Sequence, residues 1–174
     1  MDSAQQTVLR DGSEVLIRPI RGADAPALAA GFARLSARSR YLRFLTGKRE
    51  LSDRELRYFT EVDHHDHEAL AAVDPAGGRG LGVARYIRSA DDARTADIAL
   101  TVVDDWQGRG VGTALLARLA QRARQEGIRR FTALAAADNV AVARLARAAG
   151  AVFRRGDFGT VAYEISLDAL AAAG

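Results

Sequence analysis

The stretch Gln107-Gly108-Arg109-Gly110-Val111-Gly112 lies between an apolar run, residues 98–103, and a helical pattern that continues from Thr113. This order predicts a strand that leads through a glycine-rich turn into a helix. The first backbone N–H groups of a helix have no partners within it, and the helix dipole adds partial positive charge there. Glycine leaves the backbone accessible and tolerates positive φ angles. The stretch therefore predicts a cradle for a phosphate or pyrophosphate group.

Two common phosphate-binding motifs do not fit this stretch. A Walker loop needs a lysine after its last glycine, and the single lysine of the chain is Lys48, far upstream. A dinucleotide fingerprint needs a third glycine, and Leu115 occupies that position. The pattern that remains is Gln-x-x-Gly-x-Gly.

The composition is that of an ordinary globular domain. The chain has 174 residues, of which 48% are hydrophobic and 27% charged, and without a linker or repeat we expect a single domain over residues 1–174. No apolar run approaches the roughly 18 residues that span a bilayer. There is no signal-peptide pattern and no cysteine, so we expect a cytoplasmic protein. The net charge of +3 is too small to indicate nucleic-acid binding, and we expect neither nucleic acid nor a membrane as a partner.

The pattern along the chain predicts helices first and strands afterwards. Asp11-Gly12 between two short apolar runs is typical of a hairpin, and Ser52 opens a capping box. Helices are expected after Asp24, over 40–45 (ended by Gly47), after Ser52, from the glycine turn to about Glu126, and over 138–149. Strands are expected over 7–10, 14–18, 69–73, 81–87, 95–103, 131–134, 151–153 and 161–167. This order predicts an α/β fold with a mixed, mostly antiparallel sheet, a C-terminal βαβα unit and helices on both faces.

The segment Asp63-His64-His65-Asp66-His67-Glu68 contains three histidines and three carboxylates. It is expected to connect a helix to a strand, where adjacent side chains point to opposite sides and few can converge on one ion. We therefore expect no metal. An acidic rim that attracts a cationic amine and a plain solvated loop are the two better interpretations.

The glycine-rich stretch in this setting resembles the acyl-CoA pyrophosphate loop of the GCN5-related N-acetyltransferases (GNAT). A second match lies one βα unit later, where Asn139, Val142, Leu145 and Gly150 resemble a further family pattern in their spacing. The resemblance implies a GNAT fold and acetyl-CoA as the acyl donor, bound by residues 107–113, Thr113 included. It also implies a backbone N–H near Leu100 for the thioester carbonyl, and Val102 pairing with the pantetheine arm. Asn139 faces the cofactor in the family, although an asparagine here can equally cap its helix.

Transfer of an acyl group to an amine requires a base, because an ammonium has no lone pair with which to attack. The family often uses a glutamate on the strand before the glycine loop, and Asp97 occupies that place, ten positions before Gln107. Aspartate is one methylene shorter, so a bridging water is expected. A merely solvent-facing aspartate is the alternative, and Glu68 is the next candidate base. Ala146 replaces the family's tyrosine, so another acid protonates the CoA thiolate or it leaves unaided.

Most of the chain, from Val8 to Phe153, resembles the acetyltransferase domain of bacterial protein-lysine acetyltransferases that modify acyl-CoA synthetases. The stretches that carry this resemblance are residues 9–12, 17–21, 35–44 and 104–110. It implies a protein lysine as acceptor, with Arg38, Arg40 and Arg43 docking an acidic face of the partner. Alternatively, these arginines only solvate a helix, or Arg43 pairs internally. Two other functions stay open: N-acetylation of a small amine, and a non-catalytic module that senses acyl-CoA.

Overall fold

One eight-stranded sheet organises the molecule in the computed structural model, which describes residues 4–172. The strands are β1 (Gln5–Val8), β2 (Glu14–Pro19), β3 (His67–Val73), β4 (Gly80–Arg88), β5 (Thr95–Val102), β6 (Arg130–Ala136), β7 (Val152–Arg155) and β8 (Thr160–Ser166). The helices are α1 (Ala25–Ala33), α2 (Ala37–Phe44), α3 (Asp53–Thr60), α4 (Val111–Gln125), α5 (Val140–Ala148) and α6 (Leu167–Ala172). None of these helices is both long and apolar enough to cross a membrane.

The sheet order is β1-β2-β3-β4-β5-β6-β8-β7, and every neighbouring pair is antiparallel except β5 and β6, which run parallel. This confirms the mixed, mostly antiparallel sheet predicted from the sequence. Helix α2 differs from the prediction at both ends. It begins at Ala37 because the Ser36 side chain accepts a bond from the Ser39 N–H, and it ends at Phe44, because Leu45 after it has a φ of 55°, so Gly47 is not its stop. The short C-terminal helix α6 was not predicted.

The two faces of the sheet carry different helices because strand side chains alternate in direction. Even-numbered residues of β3, of β5 and of β4 from Gly82 onward face α4, where Leu70, Tyr86 and Leu115 belong to the main core. Odd-numbered residues of these segments face α1, α2 and α3; Ala69 and Ala71 pack there, and Phe32 belongs to a third cluster. A β-bulge opposite Ala72 and Val73 reverses this order at the start of β4, where Leu81 joins the main core.

Glu68 is the buried carboxylate of the α4 face, with a side chain only 1% exposed. Its oxygens accept from Arg122 Nε at 3.1 Å and from the Ala69 N–H at 2.9 Å, and lie 2.7 Å from His64 Nδ1. A buried carboxylate is tolerated when it is paired and hydrogen-bonded in this way. Glu68 thus ties the start of β3 to the last turns of α4.

We predict that Glu68→Gln destabilises the protein by about 3 kcal/mol, because the charge of Arg122 is left without its buried partner. For a chain of this size that loss lowers the Tm by roughly 6–12 °C, measured by calorimetry. The control is Glu164→Gln, because Glu164 and Arg130 are 3.6 Å apart and both 49% exposed. That change should cost less than about 1 kcal/mol. Equal losses in the two variants would contradict a structural role for the Glu68 pair.

Candidate active site

Successive unpaired backbone amides mark the junction between β5 and α4. Within residues 4–172, none of the six N–H groups from Gly108 to Thr113 donates a hydrogen bond; the next amide, Ala114 N–H, donates to Gly110 O. Gly110 precedes the helix with a φ of 102°, and no side chain caps the helix there. Neighbouring amides at a helix N-terminus bind anions, because the donors converge and the helix dipole adds to them. The glycine stretch therefore presents unpaired amides at the start of α4, and their binding of a phosphate stays a prediction.

Side chains from three other segments hold this loop in place. Gln107 Nε2 donates to Val102 O at 3.0 Å and to Ser39 Oγ on α2 at 3.3 Å. Arg109 Nε is 2.8 Å from an Asp11 carboxylate oxygen in the β1–β2 turn, and its guanidinium carbon is 4.4 Å from the Trp106 ring centroid. The side chains of Gln107 and Arg109 thus anchor the loop, while its amides stay available for a ligand.

The parallel strands β5 and β6 separate soon after they meet. They pair at only three positions, Thr95–Arg130, Ala96–Phe131 and Asp97–Thr132. The backbone bonds Ser89 N–H to Thr95 O and Val103 N–H to Leu81 O show that odd-numbered residues of β5 bond to β4. The backbone groups of Leu100 and Val102 therefore point the other way, into the gap beside β6, where Val102 O accepts from Gln107 Nε2. That an extended ligand pairs with Leu100 and Val102 at this strand edge stays a prediction.

The first turn of α4 and helix α5 line the same gap. A Cβ placed on Gly112 would lie 3.4 Å from Leu100 Cδ2 and 3.9 Å from Leu145 Cδ2, so a larger residue at position 112 would fill the groove. Asn139 caps α5: its Oδ1 accepts from Val142 N–H at 3.1 Å, and the residue is 7% exposed. Capping was one of the two roles expected for Asn139, and its contact with a cofactor stays a prediction. Together the amides and the groove fit an elongated ligand that carries a pyrophosphate.

Asp97 lies at the point where β5 and β6 diverge, on the odd face. Its Oδ1 accepts from Thr132 Oγ1 at 3.1 Å, and the residue is exposed to solvent. Partial desolvation of its carboxylate raises the pKa of Asp97, and this outweighs the Thr132 hydrogen bond and the nearby Arg43 charge, which both favour the ionised form. A carboxylate with a raised pKa beside a groove has the properties of a general base.

The structure does not bring Glu68 together with Asp97. Glu68 pairs across the sheet with Tyr86, on the face of α4, whereas Asp97 shares the opposite face with His67 and Ile87. Local sequence patterns do not predict this separation, because it depends on strand register. As the carboxylate of Glu68 is buried against Arg122, we keep only Asp97 as the candidate base.

The acidic and histidine-rich segment before β3 folds into a tight turn. Asp63 Oδ1 accepts from the backbone N–H groups of His65, Asp66 and His67 at 2.8–2.9 Å, and His65 Nδ1 lies 2.5 Å from a Glu126 oxygen. Within the described part of the chain, no three histidine, aspartate or glutamate side chains are arranged to hold a metal ion.

Ala146 occupies the tyrosine position of the family pattern and is buried, at 4% exposure. Because a methyl group cannot donate a proton, this position supplies no acid.

The three arginines expected to dock a protein partner have different surroundings. Arg38 is exposed and pairs with Asp138 at 2.8 Å. Arg40 donates from Nε to Leu35 O at 2.9 Å and from Nη1 to Arg49 O at 3.1 Å. Arg43 lines a cavity between the helices and the odd face of the sheet. Of the three, only Arg38 is fully exposed, whereas Arg40 and Arg43 are half-buried, which periodicity alone could not show. Docking of a protein partner by these arginines stays a prediction. The sequence analysis also missed Arg85, which lines the same cavity.

Comparison with known proteins agrees with this geometry. The sequence profile described as the acetyltransferase (GNAT) domain matches residues 14–152. The chain is 33% identical to acetyltransferase Pat of Mycolicibacterium smegmatis over 159 residues, which is 91% of this chain and 47% of that protein. It is also 33% identical to acetyltransferase PA5475 of Pseudomonas aeruginosa over 149 residues, covering 84% of this chain and 80% of the relative.

The fold has a close match among solved structures. The GNAT domain of S. lividans PAT superposes with a TM-score of 0.88 at 35% identity, covering 94% of this chain and 96% of that one. A cAMP-binding acyltransferase from Mycobacterium smegmatis matches with a TM-score of 0.69 at 30% identity, covering 95% of this chain and 48% of that one. The chain thus spans about half the length of these mycobacterial relatives.

The mixed sheet opens between the parallel strands β5 and β6, beside a helix whose first amides are unpaired. This is the fold of an acetyltransferase domain. The chain belongs to the GNAT family of acetyltransferases.

We predict that Gly110→Val and Gly112→Val each weaken CoA binding more than tenfold, which corresponds to about 1.4 kcal/mol. The first places a side chain beside the amide cradle, and the second fills the groove next to Leu100. Binding can be followed by the fluorescence of Trp106, the only tryptophan.

The control is Gly127→Val, just beyond the other end of α4. Gly127 has a φ of 80° with nothing within 4 Å of an added Cβ, so this variant carries the same kind of backbone strain as Gly110→Val but lies far from the amides. Unchanged CoA affinity in folded Gly110→Val and Gly112→Val proteins would reject the cofactor assignment.

Proposed function

We propose that this chain transfers an acetyl group from acetyl-CoA to a primary amine, with a lysine of an acyl-CoA synthetase as the first candidate acceptor. The observation that supports it most is the row of six unpaired amides, Gly108 to Thr113, next to the open edge of β5. The amides suit the pyrophosphate, and the open strand edge suits the pantetheine arm. That residues 1–174 form a single acetyltransferase domain is part of the same proposal.

Asp97 is the proposed general base. It lies where β5 and β6 separate, so an acceptor amine that reaches the thioester must pass near it. Because the aspartate side chain is short and solvent-exposed, it takes the proton of the ammonium through a water. Its raised pKa strengthens it as a proton acceptor, while Thr132 orients the carboxylate through the 3.1 Å bond.

The backbone N–H of Leu100 is the proposed donor to the oxygen that becomes negative when the amine attacks. It faces the gap, so the developing charge meets a fixed dipole that needs no rearrangement. No tyrosine is available at Ala146 to protonate the departing sulfur. A thiol titrates near pH 8.5 in ordinary surroundings, so its thiolate is a good leaving group and is protonated afterwards by water.

The lysine acceptor rests on similarity. The chain resembles bacterial protein-lysine acetyltransferases over most of its length, and it matches the GNAT domain of S. lividans PAT at 35% identity. A small amine is the second candidate acceptor, and it is favoured by a specific observation, the cavity on the odd face of the sheet that Arg43 and Arg85 line. A non-catalytic acyl-CoA sensor remains the alternative if no amine is acetylated.

We predict that Asp97→Asn lowers kcat by roughly 10²–10⁴-fold with little change in CoA affinity, because the amide keeps the shape of the side chain and cannot take a proton. In the wild type the rate should rise with pH through the pKa of Asp97. In Thr132→Val the loss of a bond that favours the carboxylate raises this pKa, so the rising limb should move to higher pH. The measurement is thiol release from acetyl-CoA across pH. Full activity of Asp97→Asn at every pH would assign the role of base to another group.

We predict that incubation with acetyl-CoA places an acetyl group on a lysine of an acyl-CoA synthetase, detected by mass spectrometry. The rate should fall as ionic strength rises, because exposed charges such as Arg38 steer protein encounters. Rapid acetylation of small amines without any transfer to a synthetase would reject the protein acceptor. CoA binding without thiol release on any acceptor would favour the sensor.

A further inference from the structure

Two arginines with no carboxylate within 4.0 Å, between residues 4 and 172, line a cavity on the odd face of the sheet; the carboxylate that also lines it, that of Asp24, is paired with Arg18. Arg85 lies on the odd face of β4, and Arg43 reaches it from α2; Phe32, Phe44 and Phe59 supply an apolar lining. The cavity measures about 90 Å³. Because one water occupies about 10–15 Å³ on this measure, the cavity has room for a chain of about six non-hydrogen atoms.

Arg85 is the more deeply buried of the two, at 5% exposure. Its Nη1 is 3.1 Å from His67 Nε2, its Nη2 donates to Phe59 O at 3.2 Å, and its guanidinium carbon is 4.4 Å from the Phe59 ring centroid. Burial lowers the pKa of His67 to about 4, so His67 is neutral at pH 7 and its Nε2 accepts. All of these partners of the Arg85 guanidinium are uncharged. Between residues 4 and 172, no carboxylate lies within 4.0 Å of Arg85, and three of its five N–H groups have no acceptor.

Arg43 is partly buried, and its side chain makes no hydrogen bond with any other described residue. Its guanidinium carbon is 4.7 Å from the centroid of the Phe44 ring. Burial lowers the pKa of Arg43, and the opposing charge of Asp97 acts on it from beyond ion-pair distance. Burial and then the charge of Arg43 lower the pKa of Arg85 to about 9. The two guanidinium groups therefore repel each other across the cavity.

Such an arrangement is unfavourable unless a ligand completes it. Buried charges without counter-charges cost free energy, and two like charges cost more. Four other partly buried arginines each have a carboxylate within 3.1 Å; these are Arg18 with Asp24, Arg34 with Asp105, Arg88 with Asp66 and Arg122 with Glu68. Arg40 and Arg124 instead donate to backbone carbonyls. Arg43 and Arg85 differ from all of these because the two face one cavity together, which marks the cavity as a site prepared for an anion.

We propose that Arg43 and Arg85 bind the carboxylate of a small acceptor whose amine is acetylated next to Asp97. The site rests on the proposed amine acetylation, but not on the lysine acceptor. Arg85 lies opposite Ala99 and is therefore diagonal to Asp97 on the neighbouring strand, and side chains in that relation are about 7–8 Å apart. A short carbon chain spans this distance and packs against the phenylalanines. The guanidinium groups match the two carboxylate oxygens by bidentate hydrogen bonds.

The test compares ω-aminocarboxylates of two to five methylenes with n-alkylamines of the same number of methylenes, using kcat/KM from thiol release. We expect the carboxylate to increase kcat/KM by about tenfold to a hundredfold at the best chain length, as for a hydrogen bond to a charged group. Arg43→Gln should reduce this ratio to near one. Because Arg43 also influences the pKa of Asp97, the ratio is the proper readout: an effect on the base is common to both acceptors and cancels.

Arg43→Gln is the preferred variant because the Arg43 side chain forms no hydrogen bond with another described residue. Arg85, in contrast, donates from Nη2 to Phe59 O. Arg85→Lys, which keeps the charge but loses the planar fork, should reduce the ratio in part. Arg54→Gln removes an exposed arginine of the neighbouring α3 and should leave the ratio unchanged. Acetylation of both acceptor series at equal rates by the wild type would overturn the carboxylate site while leaving the acetyltransferase function intact.

Direct binding separates the two proposals if no amine is acetylated. Calorimetric titration of the same aminocarboxylates into the protein saturated with CoA should then still show binding that Arg43→Gln weakens at least tenfold. That result would support the anion site while rejecting the catalytic function. Absence of binding at millimolar concentration would overturn the site itself.

Discussion

The short parallel contact between β5 and β6 is the constraint on which the rest of the structure depends. Three residue pairs hold the strands together, and beyond Asp97 and Thr132 they separate. Since β4 already bonds the odd-numbered residues of β5, the even-numbered backbone groups are left facing an open gap. Backbone groups left without partners are costly when dry, so a sheet retains such a gap only where solvent or a ligand fills it. The helix α4 begins at the same place and adds its own unpaired amides.

The alternation of side chains along the strands separates stability from chemistry. On one face Glu68, Arg122 and His64 form a buried polar group whose charges are matched, and this group joins the sheet to α4. On the other face, among the described residues, the charges of Asp97, Arg43 and Arg85 have no opposite charge within ion-pair distance. A shift of one residue in the register of β3 or β5 would exchange these faces. The acidic and cationic residues of this chain therefore take their roles from register as much as from type.

Much of the fold could be predicted from local patterns. Asp11-Gly12 specified the hairpin, Ser52 and Glu55 form the expected capping box, and the glycine stretch specified the turn between β5 and α4. These signals are local because caps and turns use neighbouring backbone groups. The start of α2 was missed although Ser36 is a good cap, because the apolar pattern becomes regular only from Arg40.

The candidate site was predictable only where it consists of backbone. The amides of the glycine loop follow from the sequence pattern, whereas the position of Glu68 and the unmatched charges of Arg43 and Arg85 follow from tertiary packing. Arg85 stands between Ala84 and Tyr86 in a strand pattern, and nothing nearby in the sequence shows that its guanidinium lacks a carboxylate. The numbers of arginines and carboxylates in the sequence are similar. That similarity does not reveal that, in the described part of the chain, Arg43 and Arg85 have no carboxylate within ion-pair distance.

The anchoring of Gln107 and Arg109 has a consequence for how tightly and how fast a ligand binds. Ser39, Val102, Asp11 and Trp106 fix the loop through contacts within the chain, so its conformational entropy is lost during folding and not during association. A preorganised loop binds with a smaller entropic penalty. The β1–β2 hairpin contributes through Asp11, so local opening of that hairpin would loosen the loop and slow the capture of ligand. The N-terminal hairpin thus participates in ligand affinity without touching the ligand.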